Sequence, residues 1–175
     1  MKKITSVLLA VCLVVMAVSV FSACKKNADN SSTTVYGFNY SVTADETAGE
    51  GYKGFATVKK YVLTENESKI VSKGNFAGNM IDLVIPAEYT ADNGDKYKVN
   101  AISDAAFANQ VLVKSVTIGA NIETVGAGCL AGCANLRSLT VAFVGATKDA
   151  VNEKKTLGYL FGTSSASGTS AATVY

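Results

Sequence analysis

The 175-residue chain contains no histidine and no tryptophan, and it has one arginine, Arg137, and one proline, Pro86. Without histidine there is no Ser-His-Asp or Cys-His catalysis, and the commonest catalytic zinc sites are excluded as well. A single arginine, with no basic cluster larger than an adjacent lysine pair such as Lys25 and Lys26, leaves no electrostatic footprint for a nucleic acid. No glycine-rich phosphate loop or dinucleotide fingerprint occurs. Carboxylates are present, but in polar, loop-like stretches such as "TADETAGEG" and "ADNGDKY", which suit solvated turns better than a paired acid and base. The expectation is a non-enzymatic chain with no catalytic residues, no metal site and no cofactor.

What is abundant is apolar: 49% of residues are hydrophobic against 17% charged. Part of that belongs to the N-terminus. "MKKITSVLLAVCLVVMAVSVFSAC" places Lys2 and Lys3 before an uncharged run from Ile4 to Ala23, then a small-residue site. This is the layout of a secretory signal peptide. An uncleaved spanning helix is the rival, since 20 uncharged residues match the length a bilayer needs. Phe21-Ser22-Ala23-Cys24 is similar to a bacterial lipobox, with phenylalanine where leucine is commoner. The resemblance implies that residues 1–23 are removed and Cys24 is lipidated. The protein would then be exported and held on the cell envelope by its N-terminal lipid. Several acyl chains, at ~0.8 kcal/mol per buried CH2, hold a protein on a membrane where one barely does. Residues 24–34 read as a flexible polar tether. The whole chain has 16 basic and 14 acidic residues, so loss of Lys2 and Lys3 leaves the mature part neutral.

Internal repetition is the strongest signal in the remainder. "NAISDAAFANQVLVKSVTI", residues 100–118, aligns without a gap on "ETVGAGCLAGCANLRSLTV", residues 123–141, at an offset of 23. Ile102 falls on Val125, Phe107 on Leu130, Val113 on Leu136, and Val116-Thr117-Ile118 on Leu139-Thr140-Val141. Alternation with period two makes the last segments short strands with one buried face. A strand and a compact return segment, repeated, stack into a solenoid with a parallel strand ladder. Strands are predicted at 81–85, 115–118 and 138–141. The fold class expected is an α/β repeat.

These residues resemble the BspA-type leucine-rich repeat of bacterial surface proteins, whose unit runs roughly I-x-x-x-A-F-x-G-C-x-x-L-x-S-V-x-I-P. The stretch "LVIPAEYTADNGDKYKVNAISDAAF" is similar to that family's first full repeat, with a hairpin ending in Tyr-x-Val. "GYLFGTSSASG", residues 158–168, is similar to a further irregular element. The repeats would occupy 80–175, and 35–79 would form a small antiparallel β cap. Within the cap "FNYSV", "FATVKKYVL" and "KIVSKGNF" alternate as strands, with "TENES" as a turn. Leu130 and Gln110 stand where the family has Phe and Cys, and "AATVY" offers no obvious closing strand. That C-terminus reads as an atypical cap or, rather, a truncated reading frame. The resemblance implies surface adhesion to a host or extracellular-matrix protein or a glycan.

If Val113, Val116 and Ile118 point inward, the exposed face is Asp82, Ser115, Ser138 in one column and Val84, Thr117, Thr140 in the next. Lacking Trp, Tyr or Arg anchors, it predicts weak or multivalent contact. Tyr89, Tyr97 and Tyr159 are the candidate stacking rings, with capping of the core edge as the simpler role. Other classes weighed are an envelope glycan hydrolase, a solute-binding lipoprotein and a remnant of a longer adhesin. Cys129 and Cys133 lack partners for a metal. On a helix their Cβ atoms would lie about 5–6 Å apart, beyond the ~3.5–4.5 Å of a disulfide. They are expected to be packing residues, with a disulfide as the alternative if the return segment is not a regular helix.

Overall fold

The computed structural model describes residues 37–163. The expected signal peptide, Cys24, the tether and "AATVY" lie outside these residues.

Eight strands and two short helices follow one another: β1 (Gly37–Ala44), β2 (Gly54–Val62), α1 (Glu65–Lys73), β3 (Ile81–Val84), β4 (Glu88–Thr90), β5 (Lys96–Ile102), β6 (Val113–Ile118), β7 (Thr124–Val125), β8 (Ser138–Val141) and α2 (Leu157–Leu160). They form a three-stranded sheet, β3-β6-β8, and a five-stranded sheet, β1-β2-β5-β4, with β7 on β5. The fold is mixed α/β with parallel strands, and neither sheet closes on itself among the described residues.

Both sheets carry the 23-residue period. Ser115 to Ile118 pair in parallel with Ser138 to Val141. Ala101 and Ile102 pair in parallel with Thr124 and Val125. The sequence pattern foresees the first of these ladders and not the second, in which β2 also pairs in parallel with β5. Each repeat therefore contributes one strand to each sheet, joined by a return turn.

The return turns stack as well. Ala105 N donates to Ala127 O at 3.1 Å, Phe107 N to Cys129 O at 2.9 Å and Asn109 N to Ala131 O at 2.7 Å. Left-handed backbone recurs in step: Ala105 (φ 53°) matches Gly128 (φ 62°), and Asn109 (φ 61°) matches Gly132 (φ 71°). Side chains at non-equivalent positions also tie neighbouring coils together, Asn121 Nδ2 reaching Val99 O at 2.7 Å and Asn135 Nδ2 reaching Val111 O at 2.8 Å. Each of these amides donates to a backbone carbonyl of the preceding coil. Gly126 is required by close approach, because a Cβ there would sit 2.1 Å from Asp104 N.

Inward side chains from both sheets and from the turns meet in one core, with Val58, Val99, Phe107, Val113, Cys129 and Leu130 wholly buried. Full burial of a side chain of this size contributes about 1.5–3 kcal/mol. The equivalents in the last coil, Leu136, Leu139 and Val141, are only half-buried. No strand lies beyond β8 among the described residues.

Two segments differ from expectation. "TENES" and "KIVSKGNF" form α1 instead of a turn and a strand. Thr64 caps the helix: its Oγ1 accepts from Glu67 N at 3.3 Å, and Glu67 Oε2 accepts from Thr64 N at 2.7 Å. This capping box, closed by left-handed Gly74, overrides a weak alternation. In the segment expected as an antiparallel β cap, β1 and β2 pair antiparallel. However, β2 is also the first strand of the parallel ladder, so β2-α1-β3 anticipates β5-turn-β6. The predicted hairpin ending in Tyr-x-Val is β4 and β5, paired antiparallel.

A partial copy of the turn lies at 158–163, where Gly158 does not share the left-handed backbone of Gly128. Gly162 (φ 73°) repeats Gly132 (φ 71°). Leu160 is 1% exposed where Leu130 is 0%. Gly128 N donates to Tyr159 O, and Leu130 N to Leu160 O, both at 2.8 Å. "GYLFGT" falls on "GCLAGC" at an offset of 30.

Candidate binding faces

The three-stranded sheet places the predicted residues as the repeat orders them. Asp82 pairs with Ser115 and Val84 with Thr117. Ser115 pairs with Ser138 and Thr117 with Thr140. The two columns are thus straight rows across three parallel strands, spaced about 4.8 Å apart. Val84 is 61% exposed, a bare apolar patch at the end of its row.

Asp82 is not an isolated charge. A bulge between Ile81 and Asp82 leaves Lys114 as the extra residue of β6, beside Ser115 on the solvent side. Ser115 Oγ donates to Asp82 Oδ1. Lys114 Nζ lies 3.2 Å from Asp82 Oδ2. The Ser115 hydrogen bond, then Lys114, holds the Asp82 carboxyl below the usual carboxylate range. In water such an exposed pair contributes little to stability. It does fix where the charge sits, leaving Ser138, Thr117 and Thr140 as the plain hydroxyl portion of the face.

The solvent side of the five-stranded sheet was not singled out by the sequence, yet it carries the described recesses. One, of about 510 Å³, is lined by Gly51, Tyr52, Lys53, Gly94, Asp95 and Lys96. The other, of about 520 Å³, is lined by residues that include Thr57, Lys59, Ser103, Asp104, Thr124 and Gly126. Register explains the second, since Thr57 pairs with Ala101 and Ala101 with Thr124. The only signal for this face was the match of Ile102 to Val125, and β7 spans just two residues.

The candidate tyrosines face the core. Tyr89 stacks on Tyr40 at 4.4 Å and lies 6.3 Å from Tyr97. Both, with Tyr159, are half-buried and pack against the hydrophobic cluster. Burial, reinforced by Tyr89, pushes the Tyr40 hydroxyl up to about 12.

Cys129 and Cys133 are free thiols, 0% and 3% exposed. Burial, then the neighbouring Cys133 thiol, pushes Cys129 up to about 12. Burial also raises Cys133, whose Sγ donates to Phe107 O at 3.1 Å. A thiol in that state is a packing group and not a nucleophile. Among the described residues no three His, Cys, Asp or Glu side chains gather as a metal site. No helix among them is long and apolar enough to cross a membrane.

No protein-family model matches the chain. No curated protein matches it either. Its fold is similar to that of a leucine-rich repeat protein from Bacteroides capillosus, at 17% identity and a TM-score of 0.46, covering 72% of this chain and 92% of that one. It is also similar to a leucine-rich repeat protein from Bacteroides ovatus, at 18% identity and a TM-score of 0.42, covering 66% of this chain and 26% of that one.

Proposed function

We propose that the chain is a short leucine-rich-repeat solenoid of the BspA type that binds a protein or glycan partner without chemistry. It is lipid-anchored through Cys24 and exposed at the bacterial cell surface. The observation that carries this is the 23-residue period running through both sheets at once. Such stacking turns single residues into columns, and columns are what repeat proteins present to partners. On the three-stranded sheet the face is Asp82, Ser115 and Ser138 beside Val84, Thr117 and Thr140. Its small hydroxyl-bearing side chains favour weak contacts that gain strength when many copies sit on one membrane.

The anchor and the face are tested separately. Cells fed a tagged fatty acid mark the protein, and Cys24→Ser abolishes the mark; persistent labelling overturns the anchor. Surface protease on intact cells then reads exposure. Intact cells are next panned over matrix proteins and glycans. Thr117→Arg, which places a bulky charge at the centre of the hydroxyl columns, reduces capture at least tenfold if this face binds. Unchanged capture removes the face from the proposal.

A further inference from the structure

The outer side of the five-stranded sheet differs in chemistry from the hydroxyl face. Lys53 and Lys96 flank the first recess, and Lys59 borders the second. Lys98 lies between them, pairing with Phe55 across β2 and β5. None of these four lysines has a carboxylate within 4.0 Å among the described residues, where the ion pair is Lys114–Asp82 on the other sheet. Glu88, Asp95 and Asp104 share this side and keep their charge, each held in place by a hydrogen bond. Glu88 accepts the Tyr52 hydroxyl, Asp95 accepts from Asn93 Nδ2 at 2.9 Å, and Asp104 accepts from Ala127 N at 2.8 Å.

Tyr52 is held in place. Its hydroxyl is tied to Glu88, and Lys98 Nζ sits 4.9 Å from its ring centroid. It lies outside the hydrophobic core, as does the half-buried Phe55, whose strand neighbours Gly54 and Ala56 are buried. Two turns walled by Gly51 (φ 82°) and Gly94 (φ 86°) bound the recess. A ligand there meets bare backbone, an oriented ring, the ammonium groups of Lys53 and Lys96, and one carboxylate, Asp95, tied to Asn93. From Lys53 to Lys59 the strand runs roughly 20 Å, so the cations are spread along a track instead of gathered at a point.

We propose that this side binds a carboxylate-bearing polysaccharide, a polymer of uronic acids. Lys53 and Lys96 take its carboxylates, the Tyr52 ring takes a pyranose face, and Lys59 with Thr57 and Thr124 takes residues further along. A fixed aromatic beside the lysines favours a sugar over an anionic lipid surface, and unpaired lysines favour an acidic sugar over a neutral one. The site is independent of the hydroxyl columns on the other sheet.

The test uses the purified full chain with polygalacturonate, alginate, neutral galactan and phosphatidylglycerol vesicles. Polygalacturonate or alginate binds, the affinity falls with added salt, and galactan does not bind. Lys53→Gln with Lys96→Gln weakens binding at least tenfold, and Tyr52→Ala does so while the two lysines remain. Unfolding midpoints equal to wild type show that the variants fold. Thr117→Arg leaves polygalacturonate binding intact, so the two faces fail separately. Binding to neither acidic polymer, equal binding to galactan, binding to vesicles alone, or full affinity in the lysine variant overturns the proposal.

Discussion

At the residue scale, the return turn exposes a mismatch between backbone and side chain. Ala105 and Gly128 occupy the same left-handed position one coil apart. A non-glycine residue there costs about 1–2 kcal/mol, whereas glycine's extra freedom in the unfolded chain costs about 0.4–1 kcal/mol. Ala105→Gly is therefore expected to stabilise the protein by about 0.5–1 kcal/mol, read as a higher urea midpoint. Gly128→Ala should destabilise it by about 1 kcal/mol, since a Cβ there meets Gly162 at only 3.4 Å and backbone angle dominates. The cysteines give a second expectation. Cys129 keeps its proton to about 12 when folded, against an ordinary value of 9.0. Between these values the unfolded thiol ionises and the folded one does not, so stability is intact below 9 and falls as pH rises. The fall is about 1.4 kcal/mol per pH unit once the unfolded thiol is ionised. Cys129→Ala copies Ala106 of the coil before, and its deficit relative to wild type should shrink between pH 8.5 and pH 10.5. A constant deficit would show that Cys129 is not protonated by burial. The packing role of both cysteines was legible from the repeat, because Cys129 falls on Ala106. Their thiol chemistry was not, because it depends on what surrounds them.

At the element scale, the helix α1 shows how a local cap defeats a short period. "KIVSKGNF" alternates, but only over a few residues, and it has no ladder partner among the described strands. Thr64 and Glu67, three apart, satisfy two amides at the helix start and hold the chain in helical geometry. No residue of α1 is buried, so packing offers the helix little support. Thr64→Ala should then cost about 1 kcal/mol and reduce the helical circular dichroism more than a core substitution of equal cost. The signature T-x-x-E stood in the sequence, hidden by reading "TENES" as a turn. "GYLFGT" was noticed only by resemblance, as an irregular element: Gly162 repeats the left-handed Gly132 of "GCLAGC", but seven extra residues between them broke the constant offset on which the repeat was found. Period finds regular copies; only coordinates join irregular ones.

At the scale of the whole molecule, stability should grade along the stack, because each coil is covered only by its neighbours. Phe107, Val116 and Ile118 lie in a coil sandwiched between two others and are 0%, 1% and 3% exposed. Leu130 is also buried, covered by the later turn at 158–163. Leu139 and Val141 sit on the last described strand and are half-buried. The same sequence pattern thus yields two energies, decided by what lies above. Phe107→Ala should cost about 3–5 kcal/mol. Leu139→Ala, which removes less buried surface and opens toward solvent, should cost roughly 1–2 kcal/mol. Amide exchange separates the coils without substitution. The β6 amides, paired on both sides by β3 and β8, should exchange only by global unfolding. Those of β8 should exchange faster by local opening of the last coil. Native-state exchange in low denaturant checks this, with β6 rates tracking the global unfolding energy and β8 rates insensitive to denaturant at first. Equal protection of β6 and β8 would mean that the stack opens as one cooperative block, and that the end coil is covered as well as the middle one.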